Sequence, residues 1–583
     1  MGEAGSSTTL VFAAAGDVLD LVKCEYLTDA STCQGVERYE TFFSVEALAR
    51  YYSAKLVKIF VQDSLLLNRM LQGDQRLINE LLSRGVLRRA DLANHLVRDS
   101  WIYSYYEGAL SKEDRDRVDE ARKRFEEFCR RFKCEVTTLP GIASGRRDSY
   151  VYTWRGGRGN FYRALLAGVV GYTLKVLCEH AGEGSIDVIV DTTHGINYFA
   201  HALRQGVSLA CSLYSLKRAL QPPTITLIHY NSDPLSIRGF EREGLSVRIN
   251  RIAEEKVRAL VIPRLKEFLE NYVAGFGSLE KAAESLAGHW SRGGCTVDEW
   301  LKALASCLML VRGALFWALT LALHTRVPAL DEILRRLEEV KVETEEEGKE
   351  RRGTGWNLVV RRLTYRWGDD EGASPFVEVL LVSQIVRALS ETAEQLKAGP
   401  ELHSLLAKCL KEYSGEMESR VREIAAKLEQ EESRTPVLDL DQMRIVAKHI
   451  YPIDTASLID YEIRKARALL KRIRSSGPET GSCARRNSSR KYLVHQGEGV
   501  KLIISLPEAG FDERNFYAHA GLASGTAFIA ALIEGERLIA CPYDYEPVMR
   551  LVKSTTATKQ QLPRSYKRPP TRHPPPNVKP ASP

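Results

Sequence analysis

Three side chains near the C-terminal end of the chain, Arg514, Asn515 and His519 within Arg514-Asn515-Phe516-Tyr517-Ala518-His519-Ala520-Gly521, are of the types that can cleave a phosphodiester without a metal. A guanidinium stabilises charge developing on phosphorus while an imidazole moves protons. The spacing alone is common, since arginine precedes histidine by five or six residues also at Arg89/His95, Arg444/His449, Arg490/His495 and Arg568/His573. Asp512 is placed to cap a helix starting near Glu513. On such a helix Arg514 and His519 diverge by about 140°, whereas Asn515 and His519 share a face one turn apart. One helix therefore makes a poor Arg-His site, and a surface pair on an amphipathic helix is the alternative reading of the same residues.

A second constellation lies more than three hundred residues upstream. The apolar run Ile186–Val190 reads as a buried strand and leads into Asp191-Thr192-Thr193-His194-Gly195-Ile196-Asn197-Tyr198. A turn leaving the carboxyl end of a parallel strand and entering a helix presents free N–H groups and a helix dipole to an anion. Thr192, Thr193, His194 and Asn197 add donors and acceptors suited to phosphate, ribose and base edges, and Gly195 permits close backbone approach. From the residues alone, His194 is equally a capping or packing residue of the turn. There is no Walker sequence and no GxGxxG, so a nucleoside triphosphate or dinucleotide cofactor is not indicated.

The elements that must position these groups fall into two halves. Five β-rich runs, Thr9–Ala15, Val57–Val61, Cys134–Leu139, Ile186–Asp191 and Thr224–Tyr230, alternate with helical patterns such as Ser44–Ser53 and Asn197–Leu220, which predicts a doubly wound parallel sheet. Residues 64–132 form a helical insertion ending in the charged helix Lys112–Arg131. From Arg251 the pattern reads as helix after helix: Glu254–Val273, Leu279–Trp290, Val297–His324, Leu330–Val340, Phe376–Leu396, Leu402–Tyr413, Glu416–Gln430 and Ser457–Ile473. Glu338–Arg352, with both signs of charge interspersed, reads as a solvated helix end and loop, and Arg474–Lys491 as a loop. The expected organisation is α/β followed by all-α.

Bulk composition narrows the partners. At 583 residues the chain exceeds one ordinary core, and 44% hydrophobic with 27% charged residues is the balance of a folded protein. The net charge of +7 belongs entirely to the last thirty-one residues, which hold seven Lys or Arg and no acid, leaving the rest neutral. Attraction to RNA must therefore be local. That tail, with eight of the 22 prolines, reads as extended. Eleven cysteines without a CxxC pair fit reduced thiols better than a zinc site or disulfide framework, and no HExxH or other metal-binding arrangement is legible. The opening apolar run lacks a signal peptide's basic flank, so a cytoplasmic protein is expected. Ala303–Leu323 is long enough to span a bilayer, but Arg312 near its centre would cost about 2.5–3.5 kcal/mol there, which favours a buried helix.

Taken together, the strand-Thr-His-Gly-Ile-Asn turn, Tyr230-Asn231-Ser232-Asp233-Pro234, Pro140-Gly141, Gly159-Asn160-Phe161-Tyr162 and the RNFYAHAGL segment resemble the CRISPR-associated ribonucleases of the Csx and Csm types, closest to the Csx branch. In these an N-terminal CARF sensor with a Rossmann-like sheet is joined to a helical HEPN nuclease. The resemblance implies a CARF-like domain over 1–250, a helical transmission region over 251–340, a HEPN-like domain over 341–552 and the basic tail over 553–583. It implies a homodimer that binds a cyclic oligoadenylate, with cyclic tetra-adenylate expected, through Thr192, Thr193, His194, Gly195 and Asn197, completed by Gly16 and Asn231. It also implies a composite nuclease cleft in which paired Arg514, Asn515 and His519 cut single-stranded RNA without a metal or cofactor. A noncatalytic, ligand-binding regulator of the same fold is the alternative.

Overall fold

The computed structural model describes residues 7–16, 23–28, 37–62, 86–88, 112–147, 150–154, 161–182, 184–194, 197–232, 246–257, 272, 274, 276–290, 296–311, 315–351, 357–367, 375–411, 418–429, 436–451, 453–475, 485–487, 490–497, 500–505, 522, 527–532, 537–542, 548 and 550. In the first half the elements run β1 (Thr8–Ala14), β2 (Cys24–Thr28), β3 (Glu37–Thr41), α1 (Ser44–Tyr51), β4 (Leu56–Gln62), β5 (Val86–Arg88), α2 (Lys112–Arg131), β6 (Lys133–Leu139), β7 (Ala143–Arg147), β8 (Tyr150–Trp154), α3 (Phe161–His180), β9 (Ser185–Asp191), α4 (Asn197–Lys217), β10 (Thr224–Ser232) and β11 (Ser246–Val257).

The five expected strands are β1, β4, β6, β9 and β10, and they lie side by side in parallel within an eight-stranded sheet ordered β3-β2-β11-β10-β9-β1-β4-β6. Alternate residues serve opposite faces. Val11, Ala13, Ile59, Val61 and Ile189 pack with α1 and α2, while Leu10, Phe12, Leu56, Phe60, Val188 and Val190 pack with α3 and α4. A sheet covered on both sides explains why each of these strands reads as a short continuous apolar run.

The second half continues with α5 (Leu279–Trp290), α6 (Val297–Val311), α7 (Leu315–Leu323), α8 (Leu330–Glu338), β12 (Glu339–Arg351), β13 (Asn357–Trp367), α9 (Phe376–Leu396), α10 (Pro400–Lys411), α11 (Glu418–Glu429), β14 (Leu438–Asp439), α12 (Leu440–Ile450), α13 (Ile453–Ser475), β15 (Arg485–Asn487), β16 (Arg490–Gly497), β17 (Val500–Ser505), β18 (Ala527–Leu532) and β19 (Leu538–Pro542). The protein thus joins an α/β, Rossmann-like half to a helical C-terminal region. Helices α3 and α4 are common to both. One apolar core runs from the sheet face through them into α6, α7, α9, α12 and α13. Polar ties cross the same junction: Arg163–Glu378 at 3.3 Å, Lys175–Asp331 at 3.0 Å, Lys217–Glu391 at 3.7 Å, and Ser215 Oγ to His449 Nε2 at 2.8 Å.

Four local expectations are corrected. Glu254–Val257 belongs to β11, not to a helix. β11 pairs antiparallel with β10 and covers an edge that would otherwise stand open, so tertiary pairing overrides the helix preference of Ala-Glu-Glu-Lys. Glu338–Arg352 is largely strand β12, paired antiparallel with β13. Its register sets Glu345 opposite Arg362 and Glu346 opposite Arg361. Within Arg474–Lys491, α13 extends to Ser475 and β15 and the start of β16 follow. These last strands join β14, β17, β18 and β19 in a sheet ordered β14-β19-β18-β17-β16-β15, within a region read as all-α. Val297–His324 is described as two helices, α6 and α7, with 312–314 outside the described residues.

A third, five-stranded sheet, β5-β12-β13-β8-β7, draws its strands from both halves. By length and composition α3 could cross a membrane, but 67% of its most apolar window is buried, and it serves as a core helix between sheet and C-terminal region.

Candidate ligand-binding crevice

Strand order dictates where a ligand can enter. The connection from β1 to its neighbour β4 runs through β2, β3 and α1, with α1 on one face of the sheet, and the connection from β9 to its neighbour β10 runs through α4 on the other, so the carboxyl ends of β1 and β9 part at a topological switch point, where open α/β sheets form their crevice. Register fixes the lining. Ala13 pairs with Asp191, Ala14 with Phe60, and Tyr230 with Asp191, which brings Gly16, Gln62, Thr192 and Asn231 to one edge.

The turn after β9 is built by its own polar groups. Thr192 donates from its backbone N–H (3.0 Å) and its hydroxyl (2.8 Å) to the carbonyl of Tyr230, fastening the turn to the end of β10. Asp191, only 2% exposed, accepts from the Thr193 N–H at 3.0 Å and from Ser44 Oγ at 2.5 Å. That carboxylate therefore ties the turn to the first residue of α1 and does not face a ligand. The Thr193 hydroxyl is buried without a hydrogen-bond partner. Across the crevice, the Tyr26 hydroxyl lies 3.4 Å from His194 Nε2, with the two rings edge to face at 6.5 Å. Burial, followed by the nearby Cys24 and Asp191, pushes the Tyr26 phenol well above its ordinary range, so it keeps its proton.

On the floor, Gln62 at the end of β4 is wholly buried. Its Oε1 accepts from the Tyr198 hydroxyl at 3.0 Å, and its Nε2 has no partner among the described residues. Tyr198 stands in the first turn of α4 and packs edge-on against Phe161, the first residue of α3, with ring centres 4.9 Å apart. Asn231 turns its Oδ1 back to accept from the Ser232 N–H at 3.0 Å. Ala15, just before Gly16, donates to the Phe60 carbonyl at 2.8 Å, which holds the end of β1 against β4.

Of the residues singled out in the sequence, Gly16, Thr192, Thr193, His194 and Asn231 meet at this edge, and Asn197 begins α4, its side chain outside the described residues. Gly195 is outside them too, as are Arg514, Asn515, His519 and the helix expected near Glu513. The latter segment connects the antiparallel neighbours β17 and β18. Leu522, which closes RNFYAHAGL, is 4% exposed within the main core. Sequence reasoning missed Gln62, Ser44 and Tyr26 and gave no role to Asp191 or Tyr198. Only the fold brings the first three to the site, whereas Asp191, the polar end of its apolar run, was visible.

A crevice of this kind, polar at its rim and set where a parallel sheet divides, defines an α/β ligand-binding domain. Residues 10–234 match the family described as the CARF domain of the CRISPR system endoribonuclease Csx1, so that stretch is similar to a CARF domain of the Csx1 type. A domain of this family indicates cyclic oligoadenylate sensing in type III CRISPR systems. The match ends before β11, and no curated protein matches the chain.

Proposed function

We propose that the protein is an endoribonuclease switched on by a cyclic oligoadenylate, with cyclic tetra-adenylate the expected ring, and that it cleaves single-stranded RNA in cytoplasmic antiviral defence. The observation that carries the sensing part is the polar turn Thr192–Asn197 at the switch point of a domain that matches the Csx1 CARF family. Two protomers placing this edge across a two-fold axis would offer a symmetric ring two copies of Thr192, Thr193, His194, Gly195, Asn197, Gly16 and Asn231.

Support for the catalytic part is chemical and comes from RNFYAHAG. Two such helices facing each other in a homodimer overcome the divergence of Arg514 and His519 on one helix. His519 assists removal of the ribose 2′-OH proton or protonation of the leaving oxygen, Arg514 neutralises the developing phosphorane charge, and Asn515 orients the imidazole or the phosphate. The 2′-oxygen bonds to phosphorus as the P–O5′ bond breaks, leaving 2′,3′-cyclic phosphate and 5′-OH ends without need of a divalent ion.

Coupling requires only that the ring bind one arrangement of the joined dimer better than the other. Helices α3 and α4, packed on the sheet on one side and on α8, α9 and α12 on the other, are suited to carry it.

The deciding experiment incubates purified protein with labelled RNA and EDTA, with and without cyclic tetra- or hexa-adenylate. Cutting that appears only with one ring is the expected result. Binding of a ring without cutting leaves a noncatalytic regulator, and cutting that ignores every ring removes the sensing role.

A further inference from the structure

We infer that Gln62 is the residue through which the crevice recognises adenine, an inference that rests on the cyclic oligoadenylate reading above. The argument starts from an unbalanced amide. Gln62 is 0% exposed, its carbonyl oxygen is held by the Tyr198 hydroxyl at 3.0 Å, and its Nε2 finds no acceptor among the described residues. A buried donor left without a partner is costly, and folded proteins rarely keep one unless an absent water or ligand completes it.

Its position selects the ligand. Gln62 has the same strand parity as Leu56 and Phe60, whose side chains pack on the α3/α4 face of the sheet, so it lies on that face at the carboxyl end of β4. There it sits beside the end of β1 and beneath the first turn of α4, the helix that the Thr192–Asn197 turn enters. Tyr198 is itself braced by Phe161, so the amide is presented in one orientation.

The chemistry then narrows to one base. An uncharged amide donor deep in the crevice suits a base edge better than a phosphate, whose charge is met more favourably by backbone N–H groups at the helix start. Gln62 keeps a second lone pair on Oε1 and both hydrogens on Nε2. A glutamine amide so equipped pairs two-fold with adenine, donating to N7 and accepting from the N6 amine. A base carrying a carbonyl at position 6, as guanine and hypoxanthine do, sets two acceptors against the glutamine oxygen and donor, and one contact becomes repulsive. Tyr198 is a positioning residue in this account, since it acts through Gln62.

The test is titration calorimetry on the full-length protein with cyclic tetra- and hexa-adenylate and with the corresponding cyclic oligoinosinates. Wild-type protein is expected to prefer the adenine ring. Gln62→Met, close in size but without the amide, should bind that ring at least about tenfold more weakly and lose the preference for adenine over hypoxanthine. Gln62→Leu, which likewise lacks the amide, should also bind it more weakly and serves if the Met variant fails to fold. Tyr198→Phe should weaken adenine binding less than either while leaving the preference in place. Binding and base preference unchanged in the Gln62 variants would overturn the inference and leave the amide to a trapped water, with ring sensing intact. Failure of wild-type protein to bind any cyclic oligoadenylate would instead remove the sensing reading and this inference with it.

Discussion

At the scale of single residues, the same physics separates groups that build the crevice from groups free to act in it. Asp191 is acidic at the edge where an anion is expected, yet its carboxylate is spent on Ser44 and the Thr193 N–H. Asp191→Asn keeps one acceptor and should weaken ring binding by a few-fold, while Ser44→Ala should cost about 1 kcal/mol of stability with a smaller effect on affinity; calorimetry and thermal melting separate the two. His519→Ala should abolish RNA cleavage and leave dimerisation intact, as gel assays and light scattering would report. Glu378 gives a pH signature. Burial raises its pKa despite Arg163 at 3.3 Å, so between the unfolded value, near 4.5, and the higher folded value the native state binds the extra proton. Stability from this group is therefore present below about 4.5 and lost as pH rises through the folded pKa. Glu378→Gln removes that loss, so its melting temperature relative to wild type should rise from acidic to neutral pH; a difference independent of pH would contradict the assignment.

At the scale of elements, what could be read in advance depended on burial. Strands β1, β4, β6, β9 and β10 are covered on both faces, so their apolar runs were legible without any partner in view. β11 and β12 were not, because each is charged and owes its conformation to a neighbour distant in sequence: β10 for the first and β13 for the second. The ligand turn was legible as polar residues between an apolar run and a helix. Gln62, Ser44 and Tyr26 were not, since their roles exist only once register brings three other strands and a helix to the same edge. The α3–α4 crossing is set by Gly206, where an added Cβ would stand 2.5 Å from Val169 Cγ1 and 2.8 Å from its Cβ. Gly206→Ala must push the two helices apart and is expected to cost about 1–3 kcal/mol in thermal or denaturant unfolding. Because α4 carries Tyr198, the same change should also loosen ring binding.

At the scale of the molecule, the two halves are not independently finished. α3 and α4 carry apolar residues on the side turned to α8 and α9, and β8 finds its second neighbour in β13. A chain ending at Val257 keeps every strand of the eight-stranded sheet yet leaves both surfaces bare. Size-exclusion chromatography should find it aggregated, whereas the full chain elutes as a discrete oligomer. The shared core also bears on how the protein is made. Translation delivers the sheet first, but the segments that complete α3, α4 and β8 leave the ribosome more than a hundred residues later. The sensor, although synthesised at the outset, must remain unfinished and in need of chaperoning until the far half of the polypeptide arrives to close it.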